Sequence, residues 1–188
     1  SVTSSLGTPA YETGDQSSNI TLTSGNVTLV NGTLQNWVNG DTTTSNATHS
    51  WYWGVVSAAG IWIKFDYGSG NTKLITENKF YTSGGYSSAG GTWQWQGSNN
   101  DSDWTDIGST WDKVCSTTLT VTAMSGNTNS YRYYRMLGIS GTTLDPWDKE
   151  IEFKVTPITT TVVAAGTLIS DTQTAPAATT EVSGVILY

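Results

Sequence analysis

The heptapeptide Ile61-Trp62-Ile63-Lys64-Phe65-Asp66-Tyr67 alternates without a break. In an extended chain Ile61, Ile63, Phe65 and Tyr67 fall on one side, with Lys64 and Asp66 on the other. That period of two marks a strand with one face buried. Gly68-Ser69-Gly70-Asn71 supplies the turn that ends it. Outward from this run, residues 73–81, 92–96, 119–123, 131–137 and 150–155 read as further strands, and Gly97-Ser98-Asn99-Asn100-Asp101 closes the second of these runs. No stretch carries helical periodicity. Short strands separated by Gly, Ser and Asn clusters predict an all-β, antiparallel β-sandwich. Ile61, Ile63, Phe65, Trp93, Leu119, Val121, Tyr133, Ile151 and Phe153 are expected between its sheets.

Composition agrees. Of 188 residues 36% are hydrophobic and 12% charged, both low for a globular domain, yet there are nine Trp and nine Tyr. Aromatics must therefore form the core. A net charge of −7, with Lys64, Lys73, Lys79, Arg132 and Arg135 scattered singly, offers no basic stripe, so nucleic acid is excluded as a partner. No apolar run approaches the roughly 20 residues of a membrane span, and the start carries no signal-peptide pattern. The single cysteine, Cys115, cannot form an internal disulfide and reads as a small buried thiol. Sequons at Asn19, Asn26, Asn31 and Asn46 are what chance produces in a chain rich in Asn and Thr.

Three zones follow. Residues 1–31 read as a polar N-terminal arm with a hairpin, residues 20–23 pairing with 27–30 across Ser24-Gly25-Asn26. Residues 32–156 hold the sandwich. Residues 157–188 lack Trp and Phe and cannot build a core, but Val162, Leu168, Val185 and Leu187 suit an extended C-terminal arm that adds a strand to a neighbouring chain. Its order is expected to come only from contacts with other chains.

The central zone resembles the discoidin, or coagulation factor 5/8 type C, family, a galactose-binding-like jelly roll that includes bacterial carbohydrate-binding modules. Four pieces match in order: Trp37-Val38-Asn39-Gly40-Asp41-Thr42-Thr43-Thr44, Trp62-Ile63-Lys64-Phe65-Asp66-Tyr67-Gly68, residues 93–105 beginning Trp93-Gln94-Trp95-Gln96-Gly97-Ser98-Asn99-Asn100-Asp101, and Tyr131-Arg132-Tyr133-Tyr134-Arg135 followed by Glu150-Ile151-Glu152-Phe153. The third is the specific one. Gly97 is read as the sharp exit from a strand, Asn99, Asn100 and Asp101 as Asx-turn formers, and Trp104 as an anchor returning to the core. Gly68-Ser69-Gly70 further resembles phage tail and virion proteins, by analogy.

The resemblance implies two sites. A structural calcium would staple the early loop to the last strand through Asn39, Asp41, Thr44 and Glu150; Asn39 stands where the family has Asp, which removes one charge. Glycan would bind at loops holding His49, Trp51, Trp53 and Tyr86, although a core role for these aromatics is an equal alternative. Catalysis is not expected. His49 is the only histidine, and Asp101/Asp103 and Glu150/Glu152 are ordinary surface carboxylate pairs.

The expected function is thus a non-catalytic protein of a virion or surface appendage, oligomeric and joined to its fellow subunits through the arms, attaching to cell-surface glycan. The alternative is a carbohydrate-binding module of a secreted bacterial protein or glycoside hydrolase. The tail that runs on to Tyr188 favours the first.

Overall fold

The computed structural model describes residues 2–46, 52–83, 89–114, 116–143 and 147–162. Cys115 lies outside them. The chain divides into two compact units, one of Ser5–Thr159 and one of Ser1–Ser4 with Thr160–Tyr188.

In chain order the strands are β1 (Val2–Leu6), β2 (Ala10–Tyr11), β3 (Thr21–Gly25), β4 (Leu29–Asn31), β5 (Tyr52–Trp53), β6 (Trp62–Asp66), β7 (Leu74–Thr82), β8 (Ala89–Ser98), β9 (Thr105–Val114), β10 (Thr118–Val121), β11 (Tyr133–Ser140), β12 (Asp148–Thr156) and β13 (Ile158–Val162). A 3-10 helix, Leu34–Val38, precedes the early loop. A four-stranded sheet, β10-β7-β12-β2, faces a five-stranded one, β3-β6-β11-β8-β9, with antiparallel pairing throughout both. This is the β-sandwich that the alternation predicts. No helix among the described residues is long and apolar enough to cross a membrane.

The core is aromatic. Trp37, from the 3-10 helix, stacks on Phe80 of β7 at 5.4 Å, Phe80 on Trp111 of β9 at 5.4 Å, and Trp111 on Trp95 of β8 at 6.1 Å. Phe65 of β6 meets Phe153 of β12 edge-on at 5.0 Å, joining the two sheets. Ile61, Ile63, Phe65, Trp93, Val121, Ile151 and Phe153 are buried as expected, while Leu119 is partly buried against the cluster. Tyr133 is not in the core: β11 presents Tyr134 and Met136 inward, so Tyr133 faces outward, with Arg132 over its ring at 4.5 Å.

The N-terminal zone is not a free arm. Its β2 pairs with β12, its β3 pairs with β6, and Ile20 and Leu22 enter the core. The expected hairpin does not form, because β3 pairs with β6 and β4 with β5. Gly25 is the reason: the indole of Trp62 occupies the space where a Cβ would stand, so Gly25 runs on beside β6 instead of turning. At the other end β13 pairs with β1 of its own chain, which supplies the backbone partners expected from a neighbour. The rest of the C-terminal zone, residues 163–188 with Leu168, Val185 and Leu187, lies outside the described residues.

The 97–104 segment also differs in detail. Gly97 lies within β8, where the ring of Tyr131 fills the Cβ position. Asn100 forms the Asx turn, its Oδ1 accepting from the N–H groups of Ser102 (3.0 Å) and Asp103 (2.8 Å). Asn99 instead ties the turn to the Arg132 N–H at 2.9 Å. Trp104 lies half-buried on the outer face, its ring 4.0 Å beneath the Arg135 guanidinium, and not in the core.

One buried ion pair lies at the core's edge. Lys113 Nζ donates to both carboxylate oxygens of Asp148 at 2.7 Å, with side chains only 6% and 2% exposed, and faces the Trp37 ring at 5.6 Å. Removing one partner strands the other charge in a dry setting. Lys113→Met should therefore cost about 3–5 kcal/mol in chemical denaturation, and Lys113→Met/Asp148→Leu should recover most of it. A single variant as stable as wild type would refute the pair's role.

Candidate functional site

The early loop begins where the 3-10 helix stops. Asn39 caps that helix, and its Oδ1 accepts the Asp41 N–H at 2.8 Å. Gly40 follows at φ +81°, a conformation favouring glycine, and a Cβ there would lie 2.6 Å from the Asp15 nitrogen. Asp41 Oδ1 accepts from the N–H of Thr43 (2.8 Å), the hydroxyl of Thr43 (2.9 Å) and the N–H of Thr44 (2.9 Å). These bonds, with a side-chain bond from Thr44 the largest contributor, hold the Asp41 carboxyl well below the usual carboxylate range. Glu150 arrives from β12: its Oε2 accepts the Gly40 N–H at 2.8 Å. The four residues expected to share a site therefore share one turn and the strand docked against it.

Glu150 is the anomalous member. It is buried, and no basic side chain among the described residues pairs with it. Burial pushes its carboxyl up to about 9 against the pull of the Gly40 main-chain N–H, with Glu152 and Asp15 adding repulsion and the Asn39 main chain opposing it. No group of three or more His, Cys, Asp or Glu among the described residues is arranged to hold a metal. What the loop offers is two carboxylates, an amide, a hydroxyl and main-chain carbonyls, the oxygen chemistry of a hard cation. A buried carboxylate lacking a cationic side chain fits such an ion. Glu152, by contrast, accepts from the Tyr81 hydroxyl at 3.0 Å, so the two glutamates serve different hydrogen-bond partners.

His49, Trp51 and Tyr86 lie outside the described residues, as does the side chain of Trp53, whose backbone pairs with Leu29 in β5. The flanks of these segments are described. Thr143 donates its hydroxyl to the Gly54 carbonyl at 2.9 Å, accepts the Val56 N–H at 3.0 Å, and donates its own N–H to the Val56 carbonyl at 2.8 Å. The Ser83 N–H donates to the Trp147 carbonyl at 2.9 Å, and the Trp147 N–H returns to the Ser83 hydroxyl at 3.2 Å. The borders of segments 47–51, 84–88 and 144–146 are thereby tied into one rim. Sequence reading missed Thr143, Ser83 and Trp147, since small polar residues in loops carry no periodic signal.

No family model matches the chain, and no curated protein matches it in sequence. Solved structures do. A family 32 carbohydrate-binding module from Clostridium perfringens, in complex with GalNAc-β-1,3-galactose, aligns at 14% identity and TM-score 0.51 over 73% of this chain and 96% of its own. The family 32 module of NanJ from the same organism, in complex with galactose, aligns at 12% identity and TM-score 0.51, over 76% and 98%. A third, from a family 31 glycoside hydrolase of C. perfringens, aligns at 13% identity and TM-score 0.51, over 74% and 93%. The fold is the discoidin-like jelly roll of such modules.

The raised Glu150 carboxyl fixes a pH dependence. In chelator, the folded chain holds its proton up to about 9 and the unfolded chain releases it near 4.5. The stabilising contribution is complete below 4.5 and is lost as pH rises towards 9. Melting temperature should fall between pH 5 and 8.5 by at most about 3–5 °C per unit, and Glu150→Gln should flatten that decline. An unchanged slope in the variant would contradict the assignment.

Proposed function

We propose that this chain is a non-catalytic carbohydrate-binding module that attaches a larger glycan-directed protein to its target outside the cell. The observation that carries this reading is the rim: the segments that bear His49, Trp51 and Tyr86, and β5 with Trp53, are bordered by loop residues hydrogen-bonded across to the two flanks of segment 144–146. A saccharide needs a flat face for its C–H groups and partners for its hydroxyls, and the sequence of these loops supplies both aromatic and polar residue types. The jelly-roll likeness supports the same reading, because the similar structures are binding modules and two hold galactose-containing ligands.

This reading replaces virion attachment as the main one. None of those three structures is a particle protein, and the described part of the expected arm, β13, pairs within the chain.

Calcium is part of the proposal. Asn39, Asp41, Thr44 and Glu150 would hold it, and it would supply the positive charge that the buried Glu150 lacks, fixing the loop against β12.

Two measurements test this. Millimolar calcium should raise the melting temperature of wild-type protein at pH 8 by mass action, and leave Glu150→Gln unmoved. No shift in wild type would remove the ion. A tetramerised form on a glycan array should give hits that Trp51→Ala or Trp53→Ala weakens about ten-fold, equivalent to about 1.4 kcal/mol. A blank array would overturn the binding reading.

A further inference from the structure

The outer face of the five-stranded sheet carries a second built feature, away from the rim. One register row crosses all five strands: Thr23, Lys64, Arg135, Gln96 and Asp106. Most of its polar groups are spoken for. Lys64 pairs with Asp101 at 2.6 Å, Gln96 Nε2 donates to Asp106 at 2.6 Å, and Gln96 Oε1 accepts from Arg135 Nε at 2.7 Å. Arg135 is the exception. Its Nε is used, but its two terminal amino groups have no acceptor among the described residues. The guanidinium lies 4.0 Å above the Trp104 ring, which fixes its plane. It borders a cavity of about 230 Å³ lined by Trp62, Lys64, Asp101, Trp104 and Arg135.

We infer that this cavity is a second binding site, specific for a saccharide bearing a single carboxylate, such as a uronic acid residue. A guanidinium held flat with its outer edge free is preorganised for the two parallel N–H···O bonds of a planar carboxylate. Burial already works against its charge, and an incoming anion relieves that penalty. Asp101, whose side chain is 38% exposed, sits at the rim of the cavity, where its carboxylate accepts sugar hydroxyls and repels multiply charged groups. The net charge of −7 likewise disfavours densely anionic polymers. Trp62 and Trp104, both half-buried, form walls suited to the C–H face of a pyranose ring. The choice of a saccharide as carrier of the carboxylate rests on the glycan-binding reading; the carboxylate itself rests on Arg135 alone.

Titration of ¹⁵N-labelled protein with the monoanionic methyl galactosiduronate, its methyl ester, neutral methyl galactoside and a carboxylate-ended dipeptide tests this. Methyl galactosiduronate should move the indole N–H signals of Trp62 and Trp104. Esterification should abolish the effect. Arg135→Lys, which keeps the charge and loses the fork, should weaken binding at least ten-fold while its spectrum otherwise matches wild type. Trp62→Phe should weaken it without changing the preference for the free acid. Equal binding of ester and acid, full affinity in Arg135→Lys, an equal response to the dipeptide, or no response to methyl galactosiduronate would each overturn the site. Neutral-glycan hits on the array together with silence here would defeat this inference and leave the rim reading standing; the converse result would do the opposite.

Discussion

An aromatic stack running through the sandwich is the constraint on which everything else rests. With only 36% hydrophobic residues, the chain lacks the aliphatic mass of an ordinary core, and Trp37, Phe80, Trp111, Trp95, Phe153 and Phe65 supply the buried area instead. Large flat rings pack in few ways, so their positions dictate those of the segments carrying them. Trp37 is the clearest case. To reach Phe80 it must pull the 3-10 helix down onto the sheets, and that placement delivers Asn39, Gly40 and Asp41 to Glu150. The same ring faces Lys113, whose ammonium completes the buried pair with Asp148. Core, loop and buried charges are thus one construction.

Much of the fold was legible because most inward residues alternate strictly. Ile61, Ile63 and Phe65 show it, and so do Ile151 and Phe153. Failures occurred where alternation breaks or gives no sign. In β9 the inward residues are Ile107, Trp111 and Lys113; Gly108, at φ +67°, shifts the register between the first two, and a lysine at a core position disguises the third. In the run Tyr131-Arg132-Tyr133-Tyr134 two adjacent tyrosines leave the parity open, and β6 and β8 on either side decide it. The hairpin error has the same root: Ser24-Gly25-Asn26 is good turn chemistry, but only the three-dimensional neighbour, Trp62, says what Gly25 is for.

The candidate sites divide likewise. The loop at Asn39–Thr44 and its docking to Glu150 were legible because a known family resemblance connects residues that lie 110 positions apart. The row from Lys64 through Arg135 to Gln96 was not, since it exists only across strands that sequence separates, and each residue alone looks like an ordinary solvated position. Thr143 and Ser83 tie the rim by hydrogen bonds no spacing rule foretells. The division suits the proposed role. A rigid aromatic core holds the sheet face, so that surface does not have to be ordered by its ligand, and binding there need not repay that entropy.

The proposed saccharide binds at the surface of a sandwich whose core is already complete. The nine tryptophans provide the reporters. In a ¹H–¹⁵N spectrum of the whole chain, titration with an array-selected saccharide should move indole N–H signals of surface tryptophans and leave those of buried Trp37, Trp93, Trp95 and Trp111 in place. If no indole responds to any saccharide, or if the four core signals move together with the rest, the claim is contradicted.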